Sequence, residues 1–323
     1  MFCKKLTFLY VFILTALVTK SGFAQQDVQF SQYIFNGLAL NPGYAGYKEL
    51  TNINLMYRSQ WTGLQGAPQT FSASIDGVSA DKKMGFGFQA INDQLGAQSN
   101  LTAFATYAYR LELAEDERLS LGLSAGMAQY GIDGSKLTTI DPEYLNTLNR
   151  SVIHPDINFG IFYASLHYFW GISANDLLTS YRSTDPAYLT IQRERHYYLQ
   201  GGGIYEINEG LSIKPSVIIK EDFKSPTNID FNTFLLIGKQ LWLGVSYRTG
   251  VAIFNRRYLQ RNLTNNDAVS ALVEFNFSQH WRIGYSYDYS TTRIQSVSDG
   301  SHELSISYLF FPKTKPMLTP RYF

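Results

Sequence analysis

The feature that most constrains this chain is a period of two. From residue 51 onward, apolar and aromatic residues alternate with small, polar or charged ones. Trp281, Ile283, Tyr285, Tyr287 and Tyr289 interleave with Arg282, Gly284, Ser286, Asp288 and Ser290. Leu304, Ile306, Tyr308 and Phe310 interleave with Glu303, Ser305 and Ser307, and Leu119, Leu121, Leu123, Ala125 and Met127 with Ser120, Gly122, Ser124, Gly126 and Ala128. Ile53, Leu55 and Tyr57 alternate with Asn52, Asn54 and Arg58. Side chains on a strand point to opposite faces in turn, so each segment has one greasy and one wet face. We count about 14 such segments, near the ~10-residue length of tilted spanning strands. They are expected to start near Thr51, Gln69, Met84, Asn100, Arg118, Asp156, Leu166, His196, Gly210, Asn228, Gln240, Val269, Trp281 and Glu303. An even number suits a single-chain bacterial barrel and brings both of its ends to one side.

The connections sort the same way. Those at 60–68, 93–99, 131–155, 175–195, 221–227, 249–268 and 291–302 are expected on the external side. Those at 77–83, 112–117, 164–165, 207–209, 238–239 and 278–280 are expected on the periplasmic side, and every long connection falls in the first set. Outer-membrane barrels have short periplasmic turns and longer external loops, whereas a soluble sandwich has no reason to divide its loops so. Alternation alone also fits a sandwich with one wet face, which is the competing fold. Aromatic residues at strand ends (Tyr107, Tyr109, Tyr163, Tyr168, Trp170, Tyr205, Trp281) favour interfacial girdles and thus the membrane barrel.

Composition agrees. Aromatic residues reach 15% and charged residues only 16%. That balance suits a wall that meets lipid outside and water inside. Residues 1–24 read as an export signal: Lys4 and Lys5, an apolar run from Leu6 to Val18, then Gly22, Phe23 and Ala24 before a cleavage point. The alternative, an uncleaved anchor, meets a run of about 13 residues where a spanning helix needs roughly 20. Cleavage would remove Cys3, the one cysteine, and with it disulfides, thiolate metal sites and cysteine nucleophiles. Loss of Lys4, Lys5 and Lys20 takes the net charge from +1 to −2, which leaves no basic surplus for nucleic acid.

The segment 25–50 lacks steady alternation. Phe30, Ile34 and Leu38, with Tyr33, sit at helical spacing, and Asn41, Pro42 and Gly43 form a stop-and-turn signal. Two readings follow: a lead-in helix outside the barrel, or a plug inside a barrel with room for one. Residues 51–311 form the barrel in this division, and 312–323 a periplasmic tail.

Enzyme chemistry and cofactor motifs do not emerge. His154, His167, His196, His280 and His302 have no ligand spacing, with His167 and His280 expected in periplasmic turns. No Gly-x-Ser-x-Gly elbow or Ser–His pair supports an acyl hydrolase. Gly85, Gly87 and Gly201 to Gly203 lie inside strands, where close packing or curvature explains them better than a nucleotide loop. Asp76, Arg110, Lys214, Asp230, Arg248, Glu274, Arg282 and Asp288 face inward by parity. They form either a paired network holding wall and plug, or a selectivity lining. Arg193, Glu194 and Arg195, and Arg256, Arg257 and Arg261, cluster at the long loops, as solvated surface or as a partner anchor. Tyr181, Arg182, Tyr188, Arg256, Arg257 and Tyr258 are the partner-binding candidates.

Several separated blocks carry a resemblance: QFSQYIFNGLALNPGYAG, YRSQWTGLQGAPQTFSASIDG, YSYDYS followed by SDGSHELSISY, and the closing PRYF. In this order, over Gln29 to Phe323, they resemble the PorP/SprF family of the type IX secretion system of Bacteroidetes; the resemblance is weaker over 131–268. It implies an outer-membrane barrel that helps export or retain secreted cargo bearing a C-terminal sorting domain. It also implies work beside a periplasmic peptidoglycan-associated lipoprotein and, in gliding relatives, support of surface adhesins. The family barrel resembles fatty-acid transporter barrels, whose N-terminal hatch carries an Asn-Pro motif that Asn41 and Pro42 match; this favours the plug. A channel for small solutes is the alternative function.

Overall fold

The computed structural model describes residues 28–136, 150–178, 194–251, 253 and 266–311. The expected signal segment and the tail 312–323 lie outside the described residues. The wall is built from β1 (Thr51–Ser59), β2 (Gln69–Val78), β3 (Met84–Leu95), β4 (Gln98–Ala114), β5 (Glu117–Ile132), β6 (Arg150–Ala164), β7 (Tyr168–Asn175), β8 (His196–Gly203), β9 (Tyr205–Asn208), β10 (Leu211–Glu221), β11 (Thr227–Ile237), β12 (Leu241–Val251), β13 (Asn266–Asn276), β14 (Trp281–Ser290) and β15 (Ser301–Phe310). Each pairs antiparallel with its neighbour, and β15 returns to β1, so the sheet closes on itself.

β8 and β9 are one stave, parted only at Ile204, which makes fourteen. The reason lies opposite. β10 pairs with β8 from Ser216 to Glu221 and with β9 from Leu211 to Ile213, skipping Lys214 and Pro215. Proline has no N–H to give the ladder, so the break falls beside Pro215. The N–H of Ile204 faces the other neighbour and donates to the His167 carbonyl at 2.7 Å, one step beyond the Tyr168–Gly203 pair of β7 and β8.

Several expected boundaries move. β6 begins at Arg150 and not near Asp156, because its ladder to β5 runs through Pro155 to Ile132. β7 ends at Asn175, with Ala174 the last residue paired to β6. Pro155 therefore sits where β6 has no β7 partner, a position that tolerates it. The connection expected at 93–99 shrinks to residues 96–97, because the β3–β4 ladder continues to Leu95 and Gln98 and Gly96 turns at φ +58°.

The strand ends that flank 60–68, 96–97, 133–149, 176–195, 222–226, 252–265 and 291–300 share one rim, here the long-loop rim. Those at 79–83, 115–116, 165–167, 209–210, 238–240 and 277–280 share the other, the short-turn rim. Outward residues at both rims are aromatic. Tyr163, Tyr168 and Trp170 stack at the short-turn rim, and Phe277, Trp281 and Tyr308 pack there too. Tyr57 and Phe71, and Tyr247 and Phe231, are outward cross-strand partners nearer the long loops.

Burial is inverted relative to a soluble fold. Leu, Ile, Phe and Tyr dominate the exposed alternate positions, while Ser, Asn, Asp, Glu and Arg are buried inside. An apolar surface that wraps the whole wall needs lipid, and this rules out the soluble sandwich. A test follows at Val245, mid-strand in β12 and 58% exposed. Val245→Arg is expected to destabilise the barrel in bilayers by about 2–4 kcal/mol, the cost of a cation near the bilayer midplane. Urea unfolding in liposomes measures it; a loss below about 1 kcal/mol would place Val245 away from hydrocarbon.

Candidate functional site

Residues 28–50 lie inside the wall. They form three short 3-10 turns, Tyr33–Phe35, Gly37–Ala39 and Pro42–Tyr44, and no α-helix. The helical spacing of Phe30, Ile34 and Leu38 is thus not used as a helix. A segment ringed by wall meets apolar partners on every side, so it gains nothing from a one-sided stripe. Phe30, Tyr33, Phe35, Leu38, Leu40 and Tyr44 are all buried, in separate clusters against the wall.

The start of this segment is clamped near the long-loop rim. The Glu303 carboxylate accepts the backbone N–H of Ser31 at 2.9 Å and of Gln32 at 2.8 Å. Arg58 bridges Glu303 at 3.1 Å and Asp288 at 2.7 Å, and the Ser31 hydroxyl donates to Asp288 at 2.7 Å. Arg58 and Glu303 are direct cross-strand partners where β1 meets β15. The Gln32 side chain donates to the Glu303 carbonyl and accepts from Ser305.

Farther along, Asn41 caps the third turn by accepting the Gly43 N–H at 2.8 Å. Its amide nitrogen donates to the carbonyls of Ile161 at 3.0 Å and Ile172 at 3.2 Å. The Leu40 carbonyl accepts from Ser173 and Asn175. The wall makes room with glycine. Gly122 and Gly160 are cross-strand partners. A Cβ at Gly122 would overlap the Pro42 and Gly43 backbone, and one at Gly160 would overlap the Asn41 side-chain oxygen. Gly85 does the same for Ala45, and Gly87 contacts Leu38. Close approach of a second backbone is the use glycine has in such strands.

The end of the segment is held near the short-turn rim. Glu49 pairs with Lys82 at 2.7 Å and with Arg110 at 3.2 Å. The Lys48 ammonium donates to the Phe35 carbonyl at 3.2 Å, and Gly46 N–H to Asp76 at 3.3 Å. On the opposite wall Asp230 sits between Lys220 at 2.9 Å and Arg248 at 3.1 Å. Asn232 donates to the Tyr33 hydroxyl at 2.6 Å, under the Lys220 ammonium.

All eight inward ionisable residues named from parity are buried in this interior. Sequence reasoning did not nominate Arg58, Glu303, Glu49, Lys48 or Lys220. Arg58 and Glu303 stood on the wet parity, but only the closing β1–β15 ladder brings them together. His167 and His280 lie in short-turn connections as expected; His280 Nδ1 bonds the Leu309 carbonyl at 2.8 Å and its ring stacks on Tyr308. Tyr181, Arg182, Tyr188, Arg256, Arg257 and Tyr258 fall outside the described residues.

A small cavity lined by Phe35, Tyr44, Phe162 and Lys214 lies on the short-turn side of the inner segment, and one lined by Phe30, Leu40, Tyr198 and Lys220 on the long-loop side. Tyr33 borders both. The interior is a filled lumen whose filling is bonded to staves around its circumference.

A family model described as "Type IX secretion system membrane protein PorP/SprF" matches residues 22–308. The chain belongs to the PorP/SprF family. A closed antiparallel barrel with an apolar outer belt, in a family of secretion-system membrane proteins, is an outer-membrane protein. No curated protein matches the chain significantly. Among solved structures it is similar to the outer membrane protein Omp33 of Acinetobacter baumannii, at 10% identity and TM-score 0.46, over 81% of this chain and 100% of that one. It is also similar to a mutant of the TodX monoaromatic hydrocarbon channel, at 9% identity and TM-score 0.47, over 84% and 92%. A Pseudomonas aeruginosa FadL homologue matches at 10% identity and TM-score 0.44, over 81% and 89%.

Proposed function

We propose that this PorP/SprF barrel is a binding component of type IX secretion, one that holds cargo bearing a C-terminal sorting domain at the cell surface. One observation carries the reading: the family match spans residues 22–308, almost the whole wall together with the segment that fills it. A wall whose bore is occupied offers its rims to a partner. In this reading residues 28–50 are a plug, seated by the Asn41-Pro42-Gly43 turn. The long-loop rim faces outward and takes the cargo, with Tyr181, Arg182, Tyr188, Arg256, Arg257 and Tyr258 as its contact residues. The short-turn rim faces the periplasm and a peptidoglycan-associated lipoprotein. Residues 1–24 are removed on export, and the protein acts by binding, without a reaction of its own.

Affinity purification of the tagged protein from native membranes, with mass spectrometry, tests this. Enrichment of proteins that share a C-terminal sorting domain is expected. Consistent absence of such proteins, with the barrel itself recovered intact, would overturn it. The second reading is passage of small solutes, and its supporting observation is the pair of cavities meeting at Tyr33. That reading requires residues 28–50 to yield.

A further inference from the structure

Residues 28–50 cross the bore once, and their neighbours fix the direction of crossing. Glu49 pairs with Lys82 in the connection 79–83, and Leu50, buried against Leu309, leads straight into β1. That end lies at the short-turn rim. Ser31 and Gln32 bond Glu303 and Asp288, each two residues from the long-loop end of its strand. Val28 and Gln29 share a small cavity with Asp222, Ser225 and Pro226, all in the connection 222–226. Gln29 also borders Gln60 and Trp61 in the connection 60–68. The described start of the segment therefore stands in the long-loop mouth.

Exposure changes at the same place. Phe30, Ser31, Gln32 and Tyr33 are buried, whereas Val28 and Gln29 are only half-buried. The two ends are also held differently. At the short-turn rim the segment is continuous with β1, which is laddered to β2 on one side and β15 on the other. Freeing that end would break two ladders and leave open sheet edges, which hydrocarbon does not tolerate. At the long-loop rim the hold is non-covalent: the Glu303 and Asp288 carboxylates, the Glu303 carbonyl and the Ser305 hydroxyl. Local opening begins where the least structure must break, so the long-loop end is the one that can let go.

We infer that residues 28–50 enter the bore from the cell-surface side, so that Val28 and Gln29 belong to the surface that a protein outside the cell meets. This rests on the reading above that the long-loop rim faces outward. Partners on the two sides then meet different ends of the segment. One seated at the outer mouth reaches the end that can let go, directly above the Arg58, Asp288 and Glu303 clamp. One in the periplasm reaches only the anchored end, at Glu49 and Lys82. A partner that unseats the segment by its start therefore works from outside the cell.

The test introduces single cysteines into the full-length protein in its native cells: Val28→Cys, Gln65→Cys in a long-loop connection and Glu115→Cys in a short turn. The unaltered protein, whose one cysteine is Cys3, is the blank. A membrane-impermeant maleimide is added to intact cells and to cells with permeabilised outer membranes, since labelling needs an accessible thiol. Val28→Cys and Gln65→Cys are expected to label as fully in intact cells as in permeabilised ones, and Glu115→Cys only after permeabilisation. Gln29→Cys replaces Val28→Cys if that variant does not assemble. Labelling of Gln65→Cys in intact cells, with position 28 reached only after permeabilisation or in neither state, would overturn the inference and leave the outward long-loop rim standing. Labelling of Glu115→Cys in intact cells, with Gln65→Cys silent until permeabilisation, would overturn both.

Discussion

Deletion of residues 28–50 is expected to turn a silent barrel into a conducting one. In planar bilayers the intact protein should show no steady steps of current, and the deletion variant should show them at every insertion. The reason is geometric. Eight staves enclose a bore that side chains fill, and sixteen or more leave an aqueous channel. Fourteen staves fall between, so an open or closed bore depends on what else occupies it. Here the occupant is bonded to β15 through Glu303, to β6 and β7 through Asn41, and to β4 through Glu49. Its rings fill three separate clusters. The wall should survive the loss. Asp288, Glu303, Arg58 and Arg248 would exchange protein partners for water that enters the bore, so no charge is left both buried and alone. Comparable steady conductance from the intact protein would show that residues 28–50 do not close the bore. The small-solute reading would then gain at the expense of the plug.

How far this interior could be read beforehand differs between wall and filling. The wall was legible because two solvents impose its pattern. Leu119 to Met127 and Trp281 to Tyr289 alternate since every second residue meets hydrocarbon, and the inward set from Asp76 to Asp288 followed from parity. Legibility failed where a ladder carried residues that break the pattern. β6 runs through Ser151, His154 and Pro155 because β5 pairs with it regardless of face. Within the filling, Asn41-Pro42-Gly43 was readable as a turn, since its conformational reasons are local. Its partners were not: the Ile161 and Ile172 carbonyls lie on strands far along the chain. Gly122 read as one small residue on a wet face until the β5–β6 register set it beside Gly160 under that turn. The Arg58–Glu303 contact needed the closing ladder, a property of the circle and of no single strand.

That last contact carries the other large effect. Arg58→Met should cost about 3–5 kcal/mol, the range for removing one partner of a buried ion pair. Arg58, Asp288 and Glu303 are each no more than 3% exposed, so the two acids would face each other across the space the guanidinium filled. Glu303 would still accept from Ser31 and Gln32, but these neutral donors do not cancel its charge against Asp288. The cost therefore falls on the clamp that starts the inner segment as well as on the β1–β15 seam. The triple change Arg58→Met, Asp288→Asn, Glu303→Gln should recover most of the loss. It strands no charge, and the new amide at 303 keeps a carbonyl oxygen for the Ser31 or Gln32 N–H. Urea unfolding in liposomes reads the stability, and bilayer current reads the clamp, with brief openings expected from Arg58→Met and fewer from the triple variant. A loss under about 1 kcal/mol in the single variant would mean water already reaches these carboxylates, because solvated ion pairs are worth no more than that. The start of residues 28–50 would then be held by its rings, Phe30 and Tyr33, and not by charge.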